Sequence, residues 1–408
     1  MNRQARQETI AYLLSGFPRL SETFILHEII ELERQGLRLI IIPLKNGDAQ
    51  AQHEVARIKS PVVYVPVKTN WGFVIATLRA ILFLFMQRPF RFLRVVSHFL
   101  LTGKKERHFN ILQSFWRWLW LCRELQNARI DRLHAHFAHD PTTMAYWIWR
   151  LLDQPYSFTA HAKDIYCYSQ SWLQKKIYHA RFVVTCTEFN RNYLQQISLN
   201  GTPIHRLYHG LNVQKFISAS ASKSEKPLIL AVGRLTEKKG FPVLLEACAL
   251  LRDEDFNFSC EIAGDGPQRE ALQEKIHQLH LQNFVSLRGA LTHAQVLGLY
   301  QTASVFVMPS FVAENGDRDG IPNVILEAMA MEVPVIASRI SGIPEAIEHG
   351  QTGLLVDEKN AAQLAKAIKQ ILGDSALANQ LRKAAREKVA STFSLQSNIQ
   401  NMKALLLA

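Results

Sequence analysis

Cysteine is scarce in this chain and never closely paired: Cys122, Cys167, Cys186, Cys248 and Cys260 are all there are, and no two make a CxxC spacing. An odd number without close pairs argues against a disulfide framework or a cysteine zinc site, and it suits a reducing cytosol. A long unbroken apolar run is also missing. The most apolar stretch, WGFVIATLRAILFLFMQ (71–87), is interrupted by Arg79 and is short for a spanning helix. The opening MNRQARQETIAYLL is polar and then strand-like, so no signal peptide is expected. Acidic residues are absent where basic ones gather, since residues 68–129 hold eleven Lys/Arg against only Glu106 and Glu124. No nucleic-acid-binding module accompanies that charge, so nucleic acid is not an expected partner.

What is present reads as two globular domains. At 408 residues the chain exceeds one ordinary core. In the second half LILAVGR (228–234), FSCEIAG (258–264), FVSLRG (284–289), SVFVMPS (304–310), VPVIAS (333–338) and GLLV (353–356) are short apolar runs ending at turn residues. Helix-like segments such as PVLLEACALLRD and NVILEAMAM lie between them. Fully apolar strands alternating with helices predict a parallel sheet covered on both faces, an α/β doubly wound domain. The first half repeats the plan, with strands expected at 9–16, 37–44, 62–66, 130–137, 156–161, 182–187 and 204–210. Domain bounds follow: 1–212, a linker at 213–227 around SASASKSEKP, a second domain at 228–390, and a helix at 391–408 expected to cross back onto the first. Two such sheets facing one another would gather their strand C-termini at a cleft, where open α/β sheets bind ligands.

Two constellations carry chemistry. In VGRLTEKKG a strand ends at Gly233, and Arg234 and Lys239 follow on the loop into the next helix. Two cations near a helix N-terminus suit a diphosphate; a merely solvated basic loop is the plain alternative. A P-loop is excluded because Phe241 and Pro242 follow Gly240, and in GDGPQRE Arg269 occupies the third-glycine place of a dinucleotide fingerprint. In DGIPNVILEAMA, Asp319 sits on a polar loop and Glu327 two turns into the next helix. Carboxylates accept several hydroxyl donors and so match adjacent sugar hydroxyls, although Glu327 could equally be an ordinary helix charge.

Taken in order, GRLTEKKG, GDGPQREAL, DGIPNVILEAMA and GIPEAIEHGQTGLLV resemble the retaining nucleotide-sugar glycosyltransferases of family four, whose two Rossmann-like domains form the GT-B fold. The resemblance implies that Arg234 and Lys239 hold the donor diphosphate together with Gly16, and that Glu327 holds the ribose. It places Arg288 and Gly289 beside the base, and Gly320, Ile321 and Asn323 on the donor-sugar loop. Asp319 stands where the family usually has Glu and is assigned to the donor sugar, with Glu314 or Asp317 as neighbours able to make up the shorter reach. FTAHAKDIY puts His161 where the family has a histidine facing the reacting sugar. FPRLSETFIL, with Ser21 and Thr23 leading into a helix, looks like the exopolysaccharide subgroup related to colanic-acid enzymes. The implied activity is hexose transfer from a nucleoside-diphosphate sugar to a saccharide or polyprenyl-diphosphate-linked acceptor, with no cofactor and no metal. A nucleotide-sugar-synthesising or isomerising relative, or a silent nucleotide-sugar binder, are the alternatives.

Two stretches stand outside those motifs. HAHFAHD (134–140) resembles a metallohydrolase signature, but Ala138 replaces its Asp and alternation sets His134 and His136 on one face. Residues 71–120 mix Arg with Phe, Leu and Trp. They read either as helices covering the first sheet or as a peripheral docking surface for the anionic inner leaflet of the cytoplasmic membrane.

Overall fold

The computed structural model describes residues 8–19, 22–48, 53–66, 70–103, 111–216 and 226–408. Ser21 and most of the linker, at 217–225, lie outside them. The chain divides into two compact units. One runs through Thr185 and also takes Tyr193–Leu207 and Ile399–Ala408; the other takes Cys186–Asn192 and Tyr208–Asn398.

The first unit is built on six parallel strands: β1 (Thr9–Leu14), β2 (Arg38–Pro43), β3 (Arg132–His136), β4 (Tyr156–Ala160), β5 (Val183–Thr185) and β6 (Ile204–Arg206). They lie in the order β2-β1-β3-β4-β5-β6. The expected strand at 62–66 is a correction. It meets β2 in a single bridge, Ile41↔Val62; Val63 and Val65 N–H donate to Ile41 O (2.8 Å) and Pro43 O (3.3 Å), but the next rung needs an N–H from residue 43 of β2, and proline has none. The basic apolar region forms the helices Trp71–Gln87, Pro89–Gly103 and Ile111–Ala128. Their inner faces pack on the sheet side of the unit, with Phe99 stacked on Trp118 at a ring separation of 4.9 Å. The last residues form the helix Leu395–Leu407. Arg132 donates to the carbonyls of Leu406 (2.8 Å) and Leu407 (3.1 Å), satisfying acceptors that a helix end leaves open.

The second unit has β7 (Leu228–Val232), β8 (Ser259–Ala263), β9 (Val285–Gly289), β10 (Val305–Met308), β11 (Val335–Ser338) and β12 (Leu354–Val356), in the order β12-β11-β10-β7-β8-β9. All neighbours are parallel. The period of two is visible in the packing. Ile229 and Ala231 of β7, with Val305 and Val307 of β10, join one core; Leu230, Val232, Phe306 and Met308 join the core on the opposite face. Each of these side chains larger than alanine contributes about 1.5–3 kcal/mol on burial. Truncating Ile229, which is fully buried, to alanine would cost roughly 2–5 kcal/mol.

Candidate active site

β7 and β10 are neighbours in the sheet but not in the chain, so the strand order reverses between them. Their C-terminal loops leave from that reversal, the place where doubly wound sheets hold ligands. Glycines let these loops touch. A Cβ on Gly240, whose φ is +69°, would lie 1.8 Å from the Pro309 carbonyl oxygen, and one on Gly264 would lie 1.9 Å from that of Gly233. The backbone closes the contact: Phe311 N–H donates to Lys238 O (2.9 Å) and Gly264 N–H to Gly289 O (2.8 Å). No side chain caps the helix Phe241–Asp253 that starts at Gly240.

Asp319 is buried at the centre of these loops. Its Oδ2 is 2.8 Å from Lys239 Nζ, its Oδ1 is 3.3 Å from Lys238 Nζ, and Ser310 Oγ donates to it at 3.2 Å. Lys238 also meets Asp317 at 3.0 Å. Burial by itself would raise the Asp319 carboxyl, but the charges and hydrogen bonds of Lys239 and Lys238 outweigh it and hold the group below the usual aspartate range. Lys238 is affected the other way: burial lowers it, and Asp319 and Asp317 more than reverse that. Sequence reasoning therefore chose two residues that the fold brings together, Lys239 and Asp319, and passed over Lys238. The doubled lysine of EKKG was the available signal, since a tight turn at Glu237–Lys239 aims both ammonium groups at one loop. Asp317 takes part through Lys238, whereas Glu314 is exposed.

Arg234 stands apart. It is exposed, and among the described residues no ion pair or hydrogen bond engages its guanidinium. Glu327 lies on the helix Asn323–Ala330, where Tyr300 O–H donates to its Oε2 at 3.2 Å. Burial raises the Glu327 carboxyl, with His293 and the Tyr300 bond opposing. Arg288 and Gly289 close β9; Arg288 Nε is 3.7 Å from Glu261 Oε2, and Gly289 has φ +72°. Ile321 and Asn323 line a small recess with Tyr208 and Phe393. Gly320 leaves Thr187 close, at 3.3 Å from an added Cβ.

In the first unit, Gly16 follows β1, where a Cβ would press on the Asn46 carbonyl at 3.3 Å. Thr23 opens the helix Thr23–Arg34. His161 follows β4, buried among the rings of Phe137 (4.5 Å), Phe24 (5.1 Å) and His136 (5.7 Å). Its backbone N–H donates to Asp164 Oδ1 at 3.0 Å. The histidines of HAHFAHD are used locally. Both nitrogens of His134 meet hydroxyls, of Ser157 and Thr159, at 2.9 Å, and burial, then the neighbouring His136, pushes His134 down to about 3. His136 Nε2 is 2.9 Å from Glu28, which also accepts from Tyr12 O–H at 3.0 Å. Burial opposes ionisation of Glu28, yet His136 holds its carboxyl low.

Residues 212–388 match the family described as Glycosyl transferases group 1, and residues 93–215 match Glycosyltransferase Family 4. The chain belongs to the family-four glycosyltransferases. Members of this family are retaining hexosyltransferases that use nucleotide sugars, and the chain is such an enzyme. It is 27% identical over 98% of its length to the putative colanic acid biosynthesis glycosyltransferase WcaL of Escherichia coli K12, covering 99% of that protein. To the Salmonella typhimurium protein of the same name it is 35% identical over 48% of its length, spanning about half (49%) of that relative. Among solved structures, Anabaena HepE in complex with UDP-glucose shares the fold, with a TM-score of 0.72 at 18% identity, covering 98% of this chain and 99% of that one. The fold is thus GT-B, as the motifs predicted.

Proposed function

We propose that this glycosyltransferase moves a hexose, with retention, from a nucleoside-diphosphate sugar to a lipid-linked saccharide during assembly of an exopolysaccharide or other cell-surface glycan. The observation that carries the donor side is the cationic group after β7, in which Lys238 and Lys239 meet Asp319 where the strand order reverses, with Arg234 exposed on the same loop. When the bond from the anomeric carbon to the diphosphate breaks, its electron pair stays with the phosphate oxygen, and nearby cations stabilise the charge that grows there. The departing phosphate takes the acceptor hydroxyl's proton while that oxygen attacks the same face of the sugar. Arg234 and Lys239 supply two cations for the diphosphate, so the reading requires no metal.

The remaining roles follow the family pattern. Glu327 holds the ribose hydroxyls, the backbone at Arg288–Gly289 lies beside the base, and Asp319 with Gly320, Ile321 and Asn323 meets the donor sugar. Gly16 contributes to diphosphate binding, and His161 meets the reacting sugar. The lipid-linked acceptor is supported by the exopolysaccharide relative, whose name places it in colanic acid biosynthesis, and implies work at the inner face of the cytoplasmic membrane. The test is a panel of nucleoside-diphosphate hexoses offered with polyprenyl-diphosphate saccharides, read as nucleoside diphosphate release and lipid-linked product. Transfer only to free saccharides would remove the lipid from the acceptor. A donor that binds but is never consumed would favour a silent binder.

A further inference from the structure

The helix Trp71–Gln87 is apolar on both sides. Phe73, Thr77, Ala80 and Leu84 form its buried face. On the opposite face Trp71 is 83% exposed, Leu82 60% and Met86 73%, at a helical spacing that lines them into one stripe. The next helix, Pro89–Gly103, repeats the arrangement. Phe92, Val95 and Phe99 are buried, while Phe90 (89%) and Leu101 (69%) face outward. A water-facing helix side is ordinarily polar, and helices apolar all round are ordinarily enclosed. These two are neither, and they adjoin each other in one unit.

Charge selects the occupant. Residues 70–103 contain no Asp or Glu, and their charged residues are Arg79, Arg88, Arg91 and Arg94. Arg88 and Arg91 share the single carboxylate of Asp153, which leaves a net positive charge there, and Arg79 and Arg94 are exposed. A second copy would bring the same positive face against itself and be repelled. An anionic bilayer meets both properties at once, accepting the apolar stripe below its headgroups and pairing its phosphates with the arginines. Among the described residues no helix is long and apolar enough to cross a membrane, so this geometry lies on the surface.

We infer that the outward faces of Trp71–Gln87 and Pro89–Gly103 form one docking surface that inserts shallowly into an anionic lipid leaflet, with Trp71, Leu82, Met86 and Phe90 as its anchors. This deepens the lipid-linked acceptor reading by naming the face that reaches the lipid. The test uses the full-length protein, sedimented with vesicles of phosphatidylethanolamine and phosphatidylglycerol or of phosphatidylcholine alone. Nucleoside diphosphate binding is measured in parallel by thermal shift as the readout of the donor site. The wild type should sediment with the anionic vesicles. Leu82→Glu with Phe90→Glu should lower the vesicle partition coefficient at least tenfold and leave nucleoside diphosphate binding unchanged. Arg79→Glu with Arg94→Glu, which spares the apolar stripe, should weaken binding to anionic vesicles selectively. Absence of vesicle binding by the wild type would overturn the inference, as would binding that both double variants retain. Self-association that Leu82→Glu abolishes, without lipid binding, would assign the face to a second copy instead. None of these outcomes touches the donor reading, which fails separately if no nucleoside diphosphate shifts the melting temperature.

Discussion

Lys239, proposed to hold the donor diphosphate, is paired in the structure with Asp319. Lys239 Nζ lies 2.8 Å from Asp319 Oδ2 and has no other acidic partner among the described residues, whereas Lys238 is divided between Asp317 and Asp319. Asp319→Asn therefore unpairs Lys239 and leaves Lys238 its second carboxylate. Removing one member of a buried ion pair costs about 3–5 kcal/mol. Asparagine keeps the shape and one acceptor oxygen, and the Lys239 side chain retains 13% exposure, so the lower end applies. A loss of about 3 kcal/mol corresponds to a fall of roughly 6–12 °C in the melting of a unit of this size. Binding should move the other way. In the wild type the Asp319 charge competes with phosphate for Lys239, and in the variant it does not, so a bare nucleoside diphosphate should bind at least as tightly and raise the melting temperature more. Hexose transfer should be lost. Calorimetry with and without nucleoside diphosphate, beside a transfer assay and Lys239→Ala, tests all three. The reasoning is refuted if the unliganded variant melts like wild type, or if its nucleoside diphosphate affinity falls as far as that of Lys239→Ala.

Arg234→Ala should leave the unliganded stability within ~0.5 kcal/mol, because the side chain is exposed. Loss of a charged hydrogen bond should weaken nucleoside diphosphate binding roughly 10- to 100-fold by titration calorimetry, and unchanged affinity would remove Arg234 from the site. Gly240→Ala should cost at least ~2 kcal/mol in denaturant unfolding, since a left-handed residue meeting a carbonyl oxygen cannot be relieved by a rotamer change. Acid should expose the buried His134. Its folded pKa of about 3 lies below the ordinary 6.5, so between those values only the unfolded chain binds the proton, and stability falls as pH falls by about 1.4 kcal/mol per pH unit. His134→Gln should flatten that acid limb in urea melts taken across the window, and an unchanged slope would rule out His134 as its source.

The fold was legible because its strands are short, wholly apolar and followed by helices. LILAV and SVFV each feed two cores, and that pattern has few other solutions than a covered parallel sheet. The stretch VVYVP failed for a reason outside itself: it has strand composition, but Pro43 of the neighbouring β2 lacks the N–H that would carry the pairing past Val62. The outward stripe of Trp71–Gln87 was only half legible. Its composition announced an apolar helix, but which positions are covered depends on the helices packed against it, and periodicity alone does not name them.

The candidate site was legible by residue type and not by pairing. A Gly-Arg strand end and a lysine before a helix suggested an anion site, and the carboxylates of the later loop suggested hydroxyls, as though they served two separate tasks. The fold sets Lys239 and Asp319 against each other although 80 positions separate them in the chain. The shorter aspartate is met by a cluster rather than by one partner: Lys238 bridges Asp317 and Asp319, and Ser310 adds a donor. On the proposed assignments, in which Lys239 holds the diphosphate and Asp319 the sugar, the two contacts are coupled: phosphate oxygens would compete with the Asp319 carboxylate for Lys239, and a carboxylate loosened from that ammonium group would be open to sugar hydroxyls.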